Sequence, residues 1–505
     1  MTSTNIRFEP EDVERFANAS HDRNPLHLSA VYARRSAFGE PIIFGILGVL
    51  AAVGVGPTLP AKTVGKISIA FRRPLYVGAA YQVRCDERKP DQLKLSIEDG
   101  GVVATSAIIT LLDGTISEWP RQLSPGSAPT SRALARNPED LSPGITARGR
   151  YASDPEALTE LGRRYSLHKK GFSATQVAAL LWASYLVGME LPGERAIFSQ
   201  LGITFHPEAA VRDPHFDYSA RVTGFDDRFD LLDVVADLSS QGQRIAEVSI
   251  SSFVRRDAPS LNLSLLHAAL PPSTLLKGKA ALVVGGSRGL GAALVGALAS
   301  QGCDVAFNYR DGAAEAQALC GLLRNESGSV VPLAADAADT SQCLRMRDEI
   351  KTRLGGLDIF IANATPPLQG LSFTPEMSDR FRNFVDRSLA LVASPLAAFI
   401  DLLKHRAGTV VLISSAVASP SAKEYPADWL HYVAAKCAAE GLMSSLSKQM
   451  PAVRFLIARP PRMLTDLTNT PQGRHATRPV EDIAAAIVSR SSDIDLPHLS
   501  VLEQF

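Results

Sequence analysis

The chain has 505 residues, 46% of them apolar and 21% charged, with 52 basic against 52 acidic side chains and a formal net charge of zero. That balance excludes a disordered chain and gives no steering toward nucleic acid or an anionic membrane. Five scattered cysteines (Cys85, Cys303, Cys320, Cys343, Cys437), never in C-x-x-C spacing, exclude a disulfide framework and a zinc site. No metal is expected, and a reducing, cytoplasmic setting is. The length suits about three domains. The N-terminus is polar and lacks the apolar core of a secretory signal. The continuous apolar part of the uncharged stretch 41–61 falls short of the ~20 residues a span needs, so a buried helix is expected there and no membrane span.

A helix is expected over residues 11–19. After it comes Ser20-His-Asp-Arg-Asn-Pro-Leu-His27, where Pro25 pushes Asn24 toward extended backbone, so the segment reads as a shaped loop. It places a carboxylate, Asp22, and an imidazole, His27, on either side of Asn24-Pro25. An apolar, glycine-rich helix follows, and its unpaired N-terminal N–H groups can polarise a carbonyl. An acid–base pair plus N–H donors is what adding or removing water beside a thioester carbonyl requires. Strand-like segments at 65–71, 81–85, 93–98 and 102–112 suit an antiparallel sheet around that helix.

Asp22-Arg-Asn-Pro-Leu-His27, followed by Tyr32-Ala33 and Phe38-Gly39-x-Pro41-Ile42-x-x-Gly45, resembles the signature of MaoC-like, R-specific enoyl-thioester hydratases of the hotdog fold. The resemblance implies that Asp22 and His27 hold the departing water and that the Gly45 N–H stabilises enolate charge. Which of Asp22 and His27 is the base stays open.

Residues 116–148 are proline-rich and read as a linker or a crossing segment. The pattern of the first part then returns: an apolar helix over 175–188, and strands near 201–207, 218–222, 231–238 and 244–253. Leu201-Gly-Ile-Thr-Phe-His-Pro207 echoes Gly65-Lys-Ile-Ser-Ile-Ala-Phe71, but no second Asp-x-Asn-Pro-x-His is present. An α+β double hotdog is expected, with an active half at 1–115 and a degenerate half at 149–256. The second half is expected to shape the acyl channel rather than supply chemistry.

A second linker is expected at 257–276, and from 277 to 505 strands alternate with helices, the pattern of an α/β doubly wound parallel sheet, a Rossmann-like domain. Ala280-Ala-Leu-Val-Val-Gly-Gly-Ser-Arg-Gly-Leu-Gly291 reads as strand, glycine-rich turn and helix, suited to a pyrophosphate. Val410–Ser415 and Tyr432-Val-Ala-Ala-Lys436 follow, with Tyr432 and Lys436 on one helix face. Gly285-x-x-x-Gly289-x-Gly291 with Tyr-x-x-x-Lys resembles short-chain dehydrogenases/reductases of the 3-oxoacyl-thioester type.

That resemblance implies Ser415, Tyr432 and Lys436 as the catalytic set. It implies cofactor contacts at Gly285, Ser287, Arg288, Gly289, Leu290, Gly291, Arg310, Asp336, Asn363 and Thr465, besides Tyr432 and Lys436. Arg310 and Arg288 favour NADPH over NADH, while Asp311 argues the other way. Departures from the family pattern fall at Val284, Thr365, Ser388 and Pro461, and Ser414 competes with Ser415 as the functional serine. A homodimer is implied.

The expected function is bifunctional. A 3-oxoacyl thioester, carried on acyl carrier protein or coenzyme A, is reduced and then dehydrated to the trans-2-enoyl thioester. The alternatives are a dehydratase with a silent reductase-like domain, and a non-catalytic acyl-binding protein.

Overall fold

Alternating apolar and polar residues make strands, and runs that are apolar all round make buried helices. Both patterns decide the architecture of the computed structural model. It describes residues 2–59, 61–89, 91–114, 119, 130, 132–206, 215–422, 428–475 and 477–505. The chain divides into two compact units, Met1–Arg256 and Asp257–Phe505.

In the first unit, β1 (Thr2–Arg7), α1 (Pro10–Ser20), α2 (Pro25–Leu28), α3 (Ala30–Ala33) and α4 (Gly45–Val55) precede β2 (Lys62–Phe71), β3 (Ala80–Lys89), β4 (Gln92–Asp99) and β5 (Val102–Asp113). The sequence of elements then repeats: β6 (Thr146–Tyr151), α5 (Pro155–Arg164), α6 (Ala174–Tyr185), β7 (Ala196–Phe205), β8 (Phe216–Asp226), β9 (Leu231–Ser240) and β10 (Gln243–Val254). All ten strands join one antiparallel sheet in the order β1-β3-β4-β5-β2-β7-β10-β9-β8-β6. The second five strands mirror the first five about the β2–β7 pair. Ile67 lies directly opposite Ile203, its counterpart in the repeat. Helices α4 and α6, apolar on every side, pack into the same core as the inward faces of the strands.

Two local expectations are corrected and a third is narrowed. The 22–27 segment is no pure loop: Asn24 accepts a hydrogen bond from the Leu26 N–H, and Pro25 opens the single turn α2 that carries His27. Residues 132–148 take the crossing alternative rather than that of a free linker. Leu134 N–H bonds Met189 O, and β6 begins at Thr146. Most of 115–131 lies outside the described residues. The 257–276 segment contains the helix α7 (Leu263–Ala269), whose Leu266 is fully buried in the second unit's core, because its apolar residues recur on one helical face.

The second unit is a seven-stranded parallel sheet: β11 (Ala280–Val284), β12 (Asp304–Tyr309), β13 (Val330–Ala334), β14 (Ile359–Ala362), β15 (Thr409–Ile413), β16 (Arg454–Ala458) and β17 (Leu499–Leu502). Their order is β13-β12-β11-β14-β15-β16-β17, the doubly wound arrangement with its crossover beside β11. Along β11, Ala281 and Val283 enter a core with α7, α8 (Gly289–Ser300), α9 (Ala313–Leu322) and α14 (Val480–Ser491). Leu282 and Val284 enter the opposite core with α10 (Thr340–Leu354), α11 (Ser378–Arg406) and α12 (Leu430–Gln449). The short α13 (Pro471–His475) follows β16. By length and composition α11 could cross a membrane, yet its Leu391, Val392, Leu396, Phe399 and Leu403 are buried in this core.

Candidate active sites

The first site is a cavity of about 160 Å³ in the first unit, lined by Asp22, His27 and Gly45 together with Phe71, Arg72, Arg73, Ser184, Gly188 and Phe198. Three elements converge there: the turn after α1, the single turn α2 and the N-terminus of α4. Gly45 is the first residue of α4, so its N–H has no partner within the helix. Phe44 supplies no side-chain cap. A Cβ on Gly45 would lie 2.6 Å from the Phe71 ring, so only glycine lets the backbone donor stand bare at this wall.

His27 is oriented by the Ile42 carbonyl, 2.8 Å from Nδ1, and its ring lies against Phe44 with centroids 3.9 Å apart. A carbonyl can only accept, so in the neutral ring Nδ1 carries the hydrogen and Nε2 keeps its lone pair. Burial pushes the imidazole down to about 4; the Ile42 contact opposes this and the Arg255 charge adds to it. Asp22 is 2% exposed, and burial pushes its carboxyl up to about 7. The Ser184 hydroxyl, donating at 2.7 Å, and the Asn24 N–H, donating at 3.1 Å, both oppose that rise. Between these two values both groups are neutral, the carboxylic acid able to donate and the imidazole able to accept.

Sequence reasoning did not single out Ser184 and Gly188. Ser184 comes from α6 in the second half, and a Cβ on Gly188 would lie 2.3 Å from an Asp22 oxygen. The second half therefore does more than wall a channel: its Ser184 hydrogen-bonds the Asp22 carboxyl. Asn24 ties the two halves together further, donating to the carbonyls of Gly188, Gly193 and Glu194. The available signal was a serine directly after the unbroken apolar run 177–183 of a buried helix, where a hydroxyl needs a partner.

The second site lies at the C-terminal ends of β11, β14 and β15. Gly285 has φ +78°, and a Cβ on Gly291 would lie 2.0 Å from the Gly285 carbonyl oxygen, so bare backbone is required at the start of α8. Arg288, the residue before α8, makes no side-chain cap. The loop is braced by Asn308 and Asn363: Gly285 N–H donates to Asn308 at 2.7 Å, and Asn363 donates to the Gly285 carbonyl at 2.8 Å. Uncapped N–H groups behind a glycine-rich loop fit a pyrophosphate. Thr465 stands 3.6 Å from the Cβ position of Gly289.

Three of the outer contacts have protein partners. Arg310 bonds Asp311, Arg288 bonds Asp466, and Asp336 takes Arg387 at 2.5 Å.

Ser415, Tyr432 and Lys436 come together at the end of β15. The Ser415 hydroxyl bonds the Tyr432 phenol, opposing the upward push of burial. Lys436 Nζ lies 5.5 Å from the Tyr432 ring centroid and donates to the Ile413 carbonyl at 2.8 Å. Burial lowers the lysine to about 8, against the field of Glu440. Ser414 is turned away, its hydroxyl on Glu440, which separates it from Ser415. The buried Ser388 Oγ has no partner among the described residues.

Residues 1–106 match the family model described as MaoC like domain, and residues 279–474 match that described as short chain dehydrogenase. The chain joins a MaoC-like domain to a short-chain dehydrogenase domain. Elsinochrome reductase 1 of Elsinoe fawcettii is 36% identical over 89 residues, 18% of this chain and 33% of that protein. The 3-oxoacyl-acyl-carrier-protein reductase FabG of Staphylococcus aureus is 25% identical over 222 residues, 43% of this chain and 87% of that protein. A short chain dehydrogenase of Burkholderia cenocepacia, solved in complex with NADP, is 27% identical with a TM-score of 0.41, covering 45% of this chain and 97% of its own. The chain thus spans a third of the first of these relatives. Asp22, His27 and Gly45 all fall inside the MaoC-like match, whereas Ser184 and Gly188 lie outside it.

Proposed function

We propose that the chain is a bifunctional enzyme that reduces a 3-oxoacyl thioester and then dehydrates the 3-hydroxyacyl product to the trans-2-enoyl thioester. The observation that carries the reading is the convergence of Asp22, His27 and the bare N-terminus of α4 on one cavity. The mirrored sheet, with its active half at 1–115 and a second half at 149–256, is read as a double hotdog.

In dehydration, His27 Nε2 takes the α-proton, and Asp22 in its acid form gives a proton to the departing β-hydroxyl. The Gly45 N–H faces the thioester oxygen while negative charge builds there. The dehydration rate is expected to be greatest between the two titrations, falling below about 4 as His27 is protonated and above about 7 as Asp22 loses its proton.

In the reductase, a nicotinamide dinucleotide supplies the hydride when bound. Gly285, Ser287, Arg288, Gly289, Leu290 and Gly291 would hold its pyrophosphate, Arg310 and Asp336 its adenosine end, and Asn363 and Thr465 its nicotinamide end. Ser415 orients the ketone, and Tyr432 gives its phenolic proton to the alkoxide oxygen with Lys436 favouring the phenolate left behind. NADPH is preferred over NADH because Arg310 has an exposed ion pair with Asp311 to exchange for a phosphate, and such pairs are weak. The substrate rides on acyl carrier protein or coenzyme A, and the reductase unit is proposed to form the homodimer.

The test is mass spectrometry of a short 3-oxoacyl thioester, on each carrier, after incubation with the chain and NADPH or NADH. Enoyl product from the wild type and accumulated 3-hydroxyacyl product from His27→Ala are expected. Unchanged ketone, with added 3-hydroxyacyl thioester still dehydrated, would instead favour a silent reductase domain, as the unpartnered Ser388 hydroxyl would suit.

A further inference from the structure

Behind the reductase triad lies a second set of polar side chains that the proposed chemistry does not use. Three consecutive residues at the end of β15 are fastened to α12: the Ile413 carbonyl accepts from Lys436, the Ser414 hydroxyl donates to Glu440, and Ser415 bonds Tyr432. Glu440 is 8% exposed and Ser414 2%. Arg459, the residue after β16, grips Glu440 with both edges of its guanidinium, Nε to Oε1 at 2.9 Å and Nη2 to Oε2 at 2.6 Å. Its remaining nitrogen binds Glu503, which also accepts from Ser419 at 2.8 Å. One hydroxyl and two guanidinium N–H groups thus converge on the buried Glu440 carboxyl.

Glu440 stands four residues after Lys436, one turn on along the same face of α12. We propose that Glu440, fixed by Ser414 and Arg459, is a positioning residue that sets an anion beside Lys436 and holds the lysine in its charged form next to Tyr432. Lys436 has Tyr432 and Glu440 on its own helix and the Ile413 carbonyl at the end of β15, with Arg459 behind Glu440. The charge of Glu440 acts on Lys436 and opposes the effect of burial. Arg459 keeps Glu440 in place, and Glu503 pairs with the remaining nitrogen of Arg459, so the charge beside the lysine is that of Glu440 itself. The inference rests on the reductase reading only for its kinetic consequence; the titration of Lys436 is independent of any substrate.

The full chain, labelled with 13C-lysine, is titrated by NMR in the wild type and in Glu440→Gln, with Lys436→Arg identifying the resonance. Glutamine keeps the shape and removes the charge, so the Lys436 midpoint is expected to fall by about one pH unit or more. The high-pH limb of ketone-dependent NADPH oxidation is expected to move down with it. Glu440→Gln leaves Arg459 half-paired, so the double variant Glu440→Gln/Arg459→Met is measured as well; it removes both buried charges and should keep the lowered midpoint in a folded protein. An unchanged Lys436 midpoint in either folded variant overturns the proposal. A lowered midpoint in a chain that oxidises no NADPH with any 3-oxoacyl thioester would instead overturn the reductase reading and leave this one standing.

Discussion

The two halves of the first unit start from the same parts and end with different abilities. Each has a helix packed on five strands, and the strand orders mirror each other. They part between the two helices of each half. Residues 21–44 separate α1 from α4, while only 165–173 separate α5 from α6. The longer span holds Asp22 and His27, and the shorter one, with a single 3-10 turn at Leu167–Lys170, carries no Asp-x-Asn-Pro-x-His. The helix starts differ too. Ser173 and Gln176 form a reciprocal capping box at α6, whereas α4 begins on an uncapped Gly45 that lines the cavity. A capped helix start is stable and chemically spent; an uncapped one keeps its donors for a ligand. What the second half retains is the far end of its helix, where Ser184 and Gly188 meet Asp22.

The largest effect is expected from Asp22→Asn, which removes the titrating carboxyl from the half that carries the motif. Dehydration should fall by about 10³-fold or more, with NADPH oxidation unchanged. Stability should move the other way. The folded carboxyl titrates near 7 against 3.8 for the ordinary group, so ionising it costs stability as the pH rises between those values. An amide in its place escapes that cost. The first unit of the variant should therefore be more stable than wild type at pH 8, by up to about 4 kcal/mol, and no more stable at pH 3. Denaturation curves at the two pH values check the sign.

Gly188→Ala comes next, since it tests whether the second half reaches the site. The added Cβ has to displace Asp22, because 2.3 Å is far inside van der Waals contact. A loss of about 10²-fold in dehydration is expected, with ketone reduction intact. A variant that dehydrates normally would mean that Asp22 is free to move, and the second half would return to being a mere wall.

How far this was legible in the sequence differs between the units. The parallel sheet and its glycine loop could be read because strand, turn and helix follow one another locally in Ala280–Gly291, and the MaoC-like motif because Asp22 to Gly45 is contiguous. The repeat was visible in Ile67 and Ile203, whose apolar alternation matches. Strands β1 and β6 were missed, being short, polar edge strands with little period-two signal. Ser184 was hidden for a different reason. It stands 162 positions from Asp22, and nothing in an apolar helix says which neighbour its hydroxyl will meet. Glu440 and Arg459 were hidden in the same way, as ordinary charges until the fold buried them together.

Ser184→Ala sharpens the comparison by degree. Its hydroxyl favours the ionised form of Asp22, so losing it should raise the carboxyl further and move the high-pH limb of dehydration upward by about one unit. The maximal rate should fall only about tenfold, as Asp22 keeps its bond from the Asn24 N–H. A limb that moves downward would show that Ser184 accepts rather than donates.

The smallest effect is expected at the capped helix. Ser173→Ala strips the side-chain cap from α6 and should cost about 1 kcal/mol in stability, the usual worth of such a cap. Dehydration should stay within about twofold of wild type, because the N–H groups it frees lie at the opposite end of α6 from Ser184 and outside the cavity lining. Exposing donors there creates no site, since no carboxyl or imidazole accompanies them. If the variant instead lost activity out of proportion to its stability, α6 would be transmitting its N-terminal position along its length to Ser184. The two halves would then differ in which end of the helix they use, and not in whether they take part.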